Sequence, residues 1–142
     1  MKLTQLSIFL ENKPGHVCRA CRMMADAGIN IETMSLADTE QFGILRILVK
    51  DWQRAKEVYE RNNVVVRVTE VVAAVVPHRP GGLADILDVI DGAGLNIEYM
   101  YGFSSEREGG AILVFRFDNP DAALQKMESA GVRLIGNAEL FQ

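Results

Sequence analysis

The 142-residue sequence predicts an α+β protein of two tandem βαββαβ units, each an antiparallel sheet with its helices on one face. Three observations predict it. Residues 13–32, KPGHVCRACRMMADAGINIE, return at 79–98 as RPGGLADILDVIDGAGLNIE, without a gap and always 66 positions on. A repeat of this length marks a duplicated supersecondary unit. The same helical stripe is written twice with different residues: Val17, Ala20, Cys21 and Met24, then Leu83, Ile86, Leu87 and Ile90. Finally, a strand-like apolar run follows each copy, GILRILVK at 43–50 answering to GAILVFRF at 110–117.

The elements follow in order. Residues 3–10, LTQLSIFL, form the first strand and end in the polar turn Glu11-Asn12-Lys13-Pro14-Gly15. The striped helix comes next, and Gly28, like Gly94 in the second copy, stands where a helix C-terminus wants a left-handed residue. Ile31–Ala37 forms the second strand, Asp38–Phe42 a turn, and residues 43–50 the third strand. Asp51 and Asp118 each open a short helix, closed by Asn62-Asn63 and by Gly131. Val64–Val68 and Val132–Ile135 form the last strands. The repeat divides the chain near residue 68, giving domains 1–68 and 69–142, and the run Val64–Val76 leads from one copy into the next with no Gly/Ser-rich linker. In this alignment Arg46 falls on Leu113, a surface or interface difference between the copies.

Composition narrows the function classes. Hydrophobic residues make up 49% and charged residues 24%, an ordinary globular balance. A net charge of −4 gives no electrostatic reason to expect nucleic acid or an anionic membrane as partner. The longest apolar run, Val71–Val76, is far short of the roughly 18 residues that span a bilayer. The N-terminus lacks the apolar core of a signal peptide, and two cysteines without export signals point to a reducing, cytoplasmic setting. Each half is small enough to be marginal alone, which favours packing between halves and a homo-oligomer, a dimer in the simplest case.

The strand ending Glu-Asn-Lys-Pro-Gly, the phased helix and the Gly-Ile-Asn-Ile turn resemble the ACT domain, a small regulatory module that binds amino acids in metabolic enzymes. The second copy keeps Pro80-Gly81 and Gly94-Leu95-Asn96-Ile97-Glu98 but has His78 where the first has Asn12. The resemblance covers nearly the whole chain. It implies a small amino-acid ligand held between the Pro-Gly turn of one domain and the Gly-x-Asn-Ile loop of a paired one. Carried onto this sequence, Asn12 and Gly15 would face Asn96 and Ile97, and His78 and Gly81 would face Asn30 and Ile31.

The residue chemistry agrees. A Pro-Gly turn before a helix offers unpaired backbone N–H groups and the positive end of the helix dipole to a carboxylate. Glycine at 15 and 81 lets a ligand approach the backbone. Asn12 brings a donor and acceptors and His78 a ring N–H, while Asn30 and Asn96 can accept from an ammonium group. The same asparagines also serve as plain turn formers, and Glu32 and Glu98 read most simply as solvated carboxylates.

Other chemistry finds little support. Cys18 and Cys21 form a CxxC, but they fall on Ala84 and Leu87, so Cys21 at least reads as a core residue. His16, Cys18 and Cys21 lack a fourth ligand for zinc, and Met23, Met24, Met34 and Met100 read as core or pocket lining. No nucleophile triad, Walker loop or paired acids stand out, so the chain reads as no enzyme, with no cofactor and no metal. The expectation is an amino-acid-binding regulatory protein that acts allosterically on a partner such as a metabolic enzyme. The alternative is a regulatory subunit like the acetolactate synthase small subunit, which GINIETMSLADTE resembles.

Overall fold

The computed structural model describes residues 1–38 and 41–141, and the side chains of all of these but 104, 105 and 107. The turn expected over Asp38–Phe42 lies partly outside the described residues. The chain divides into two compact units, Thr4–Thr69 and Met1–Leu3 together with Glu70 onward. Both have the expected ACT-type α+β topology.

The first unit runs β1 (Leu3–Glu11), α1 (His16–Asp26), β2 (Thr33–Asp38), β3 (Phe42–Leu48), α2 (Trp52–Arg61) and the opening of β4 (Val65–Pro77). Its strands lie in the order β2-β3-β1-β4, with β1 and β2 both antiparallel to β3. Register pairs Leu6 with Ile47 and Ile8 with Leu45, so alternate residues of both strands share one face. That face is the core: Leu6, Ile8, Leu45 and Ile47 meet Ala20 and Met24 of α1 and Ala55 and Tyr59 of α2. On β4, the Arg67 guanidinium lies 5.4 Å over the Phe9 ring, and Thr69 Oγ1 is 3.5 Å from Ser7 Oγ.

The second unit repeats the plan with the rest of β4, α3 (Gly82–Gly92), β5 (Ile97–Arg107), β6 (Gly110–Phe117), α4 (Pro120–Ser129), β7 (Leu134–Ile135) and a short α5 (Asn137–Leu140). Its strand order is β5-β6-β4-β7. Val72, Ala74, Phe115 and Phe117 pack against Ile90, Ala123 and Met127. Lys2 is bound into this unit by Glu70 and Asp121, at 2.6 and 2.8 Å.

Several boundaries moved, each for a physical reason. The two expected strands, Val64–Val68 and Val71–Val76, merge into the single strand β4 from Val65, because no turn-forming residue interrupts the valine run. β7 shrinks to two residues and α5 follows, a helix too short for a periodic signal. The α4 cap is Asn119 rather than Asp118, its side chain accepting from Ala122 N–H at 3.2 Å just as Asp51 accepts from Arg54 N–H at 3.2 Å. The copies are therefore 68 positions apart after the hairpin, since Leu10 pairs with Gly43 and Val76 with Ala111. The two extra residues lie in the β5–β6 hairpin, where the register shifts and Glu108-Gly109 turns with positive φ. Arg46 thus answers to Val114, not to Leu113. Met34 is 43% exposed, on the edge strand β2, and Leu83 is 39% exposed in the first turn of α3, so neither is core.

All four long helices end the same way. In α1 the Gly28 N–H bonds Ala25 O and the Ile29 N–H bonds Met24 O; Gly94-Leu95, Asn63-Val64 and Gly131-Val132 repeat the pattern. The left-handed residue, Gly28 in the first case with φ 70°, satisfies two helix carbonyls at once. Among the described residues, no helix is long and apolar enough to cross a membrane.

Candidate functional site

The two Pro-Gly turns are built alike. Gly15 and Gly81 sit immediately before α1 and α3 at φ 88° and 85°, and neither helix start has a side-chain cap. Positive φ explains the glycines first: an L side chain there would be strained. Each glycine carbonyl takes the first helical bond, from Arg19 N–H and from Asp85 N–H, both at 2.9 Å. The turn itself is closed by Lys13 N–H to Glu11 O at 2.9 Å in one copy and Arg79 N–H to Pro77 O at 3.0 Å in the other. Asn12 and His78 are exposed at these turns.

At the other ends of the helices lie Asn30 and Asn96, both exposed, followed by half-buried Ile31 and Ile97, which pack on their units' cores. Asn30 Nδ2 donates to Glu32 Oε1 at 3.0 Å, and its amide oxygen keeps its acceptor capacity. Glu98 instead meets Arg116 Nε at 3.5 Å, so the repeated glutamates serve different partners. A cation from the neighbouring helix binds the last carbonyl of each site helix: the Arg54 guanidinium at Ala27 O, and the Lys126 ammonium at Ala93 O, 2.7 Å away. These charges lie at different helical positions and left no repeat signal in the sequence.

Within one unit the predicted residues fall into two groups that do not meet. Asn12 and Gly15 precede α1 and Asn30 and Ile31 follow it; 11 helical residues set them roughly 16 Å apart. His78 and Gly81 are separated from Asn96 and Ile97 by α3, of the same length. Asn12 lines a cleft of about 160 Å³ with Leu10, Val17, Leu36 and Gly43, residues that sequence reasoning had given to the core or to strands.

A second cleft occurs at equivalent places in both units. In the first unit it measures about 350 Å³, between the end of β1, Ala20 and Met23 of α1, and Asn63 to Val65. In the second it measures about 320 Å³ and is walled by Val75, Ile86 and Gly131 to Arg133. Arg133 there is paired with Glu108 at 3.1 Å. The first cleft carries Phe42 and Val65, 53% and 62% exposed, at the positions of Gly110 and Arg133.

Cys18 is exposed and Cys21 is half-buried against the first core; both are free. Burial, with the neighbouring Cys18, pushes the Cys21 thiol up, the reverse of what a redox thiolate needs. Among the described residues there is no cluster of three metal-ligating side chains.

The chain matches the family described as the ACT domain pair over residues 1–142. It is 34% identical to protein BT0572 from Bacteroides thetaiotaomicron, with 100% of this chain and 97% of that one covered and a TM-score of 0.92. The regulatory subunit of aspartate kinase from Thermus thermophilus, in its ligand-free form, shares the fold at 18% identity. There 89% of this chain and 91% of that one are covered, with a TM-score of 0.63. The corresponding subunit from Thermus flavus gives 18% identity, coverage of 90% and 92%, and a TM-score of 0.62. No curated protein sequence is matched. Its whole length is accounted for by one family model, and the chain belongs to the ACT domain pair family.

Proposed function

We propose that this chain is a regulatory protein that binds a small amino acid and passes the signal to a partner, a metabolic enzyme. One observation carries the reading: in a family of amino-acid-binding regulatory modules, this chain retains both the glycine turn at a helix start and the Gly-x-Asn turn at a helix end, in both copies. The helix start suits a carboxylate and the amide oxygen of Asn30 suits an ammonium group. An α-amino acid presents both. Since the two groups stand at opposite ends of one helix, a single ligand must join the turn of one copy to the asparagine loop of another. Coupling would then follow from linkage, ligand favouring whichever arrangement brings the two together.

Thermal unfolding against each standard amino acid tests this. A ligand at a hundredfold excess over its Kd should raise Tm by about 5 to 10 °C. Asn12→Ala, Asn30→Ala, His78→Ala and Asn96→Ala, measured singly, then report which turn and which loop hold it. If no amino acid moves Tm, the sensor reading is wrong. Copurification with a large catalytic chain would favour the regulatory-subunit form of the same idea.

A further inference from the structure

We propose that Arg54 and Lys126 are positioning residues of the two Asn loops: each holds the last carbonyl of its unit's site helix and so sets where Asn30 or Asn96 stands. The inference rests on the reading that these loops bind an amino acid. It adds what fixes the loops in place.

The left-handed turn after α1 takes up the carbonyls of Ala25 and Met24, and the Arg54 guanidinium of α2 takes up that of Ala27. In the second unit the turn takes up Asp91 O and Ile90 O, and Lys126 Nζ of α4 lies 2.7 Å from Ala93 O. Asn62 O and Ala130 O hold the same place at the ends of α2 and α4, which lead into no Asn loop. Among the described residues no side chain donates to either of them.

The two contacts arise at different positions. Arg54 and Ala122 are equivalent, since each donates its backbone N–H to the cap of its helix at 3.2 Å. Lys126 lies one helical turn further on, where the first unit has the buried Val58. A contact carried along with the duplicated unit would use one position in both copies. Reaching the same carbonyl from two positions marks the carbonyl as the thing that is held.

Gly28 and Ile29 alone separate Ala27 from Asn30, and Gly94 and Leu95 separate Ala93 from Asn96. The glycine, at φ 70° in both copies, is the softest joint of each connection. A carbonyl fixed on its helix side restricts that joint, and with it the direction in which the loop leaves. The cation also cancels the negative end of the helix dipole. A ligand ammonium beside the loop then depends on the asparagine amide oxygen and not on the helix end, so the placement of that oxygen decides. Both contacts are exposed, and each should be worth a few-fold change.

The test is two-dimensional amide NMR of the full ¹⁵N-labelled chain, read first as hydrogen exchange and then as a titration with each standard amino acid. Arg54→Ala should speed exchange of the Gly28 and Ile29 amides about threefold and leave Asn63 and Val64, in the same turn after α2, unchanged. The Asn30 side-chain NH₂ signals, held on Glu32 in the wild type, should move towards those of a free amide. The binding midpoint read at the first loop should rise about threefold. Lys126→Ala should act likewise on Gly94, Leu95 and the second loop's midpoint. Adding Ala122→Arg should restore them, because an arginine there starts from the position of Arg54. Arg61→Ala, which removes an exposed charge from the end of α2, should change none of these readings. Exchange or midpoints indifferent to both alanine variants, equal acceleration at Asn63 and Val64, or failure of Ala122→Arg to restore the second loop would overturn the inference and leave the binding reading intact. Binding of no amino acid by the wild type would overturn that reading and this inference together.

Discussion

The Tyr59 hydroxyl donates a buried 3.0 Å hydrogen bond to the carbonyl of Ala20, fastening α2 to α1 in the first unit. The equivalent positions in the second unit are Met127 and Ile86, which pack without any such bond. A large polar-tipped residue against a small one has been exchanged for two of middle size. Helix α1 is thus held to α2 by a buried side-chain hydrogen bond that the equivalent residues of α3 and α4 do not make.

Removing the hydroxyl should cost about 1 kcal/mol, so Tyr59→Phe is expected to lower the urea midpoint without changing the slope. The mutant should also change the pH profile. Burial, and secondarily Cys21, raise the Tyr59 phenol above its ordinary value of about 10. A group whose folded pKa is raised contributes stability that is present below the unfolded pKa and lost as pH rises towards the folded one. Wild-type stability should therefore fall above about pH 10, and that fall should be shallower in Tyr59→Phe. Parallel pH profiles for the two proteins would contradict the assignment.

The exchange of sizes gives a second prediction. Ala20→Ile alone overpacks the space that Tyr59 fills and should cost about 1 to 3 kcal/mol. In a Tyr59→Met background, which copies the second unit, the same substitution should cost markedly less. A double-mutant cycle in urea measures the coupling; additive effects would show that the two positions do not share one space.

The fold was legible because it is written twice, in different residues. Val17, Ala20, Cys21 and Met24 make a modest stripe alone, but Leu83, Ile86, Leu87 and Ile90 fix its phase. Legibility ended where the copies lose step. Two residues added within the β5–β6 hairpin leave the strand pattern looking intact when aligned one position out, which sets Asp51 against Asp118 instead of Asn119. The positions of Asn12, Gly15, Asn30 and their counterparts could be read, since turns need particular residues at particular places. The Arg79–Asp85 pair beside the second turn could not. Arg19 against Asp85 looks like ordinary surface variation until the structure sets Asp85 beside Arg79.

Gly82 tests how far the second turn is fixed in its own shape. A Cβ on Gly82 would lie 1.9 Å from the Pro77 carbonyl oxygen, so Gly82→Ala cannot be accommodated without moving the turn. The first unit carries His16 at this place, with its N–H a longer 3.3 Å from Lys13 O against 3.0 Å for Gly82 N–H to Arg79 O. The second turn can therefore relax towards the first, and the cost should be about 1 to 3 kcal/mol rather than loss of folding. A neutral Gly82→Ala in thermal unfolding would show that the tight approach to Pro77 is not maintained in solution.

The cysteines should behave as two unrelated thiols. Cys18 is exposed on α1, whereas burial and the neighbouring Cys18 raise the Cys21 thiol, so less thiolate is present there at neutral pH. Timed alkylation with iodoacetamide near pH 8, read by peptide mass spectrometry, should label Cys18 about tenfold faster than Cys21. Cys18→Ala should leave stability unchanged within about 0.5 kcal/mol, as expected of an exposed side chain. Cys21→Ala should lower it by about 1 kcal/mol through lost packing against the first core. Faster labelling at Cys21, or an internal disulfide formed readily under mild oxidation, would restore the redox reading that the burial of Cys21 argues against.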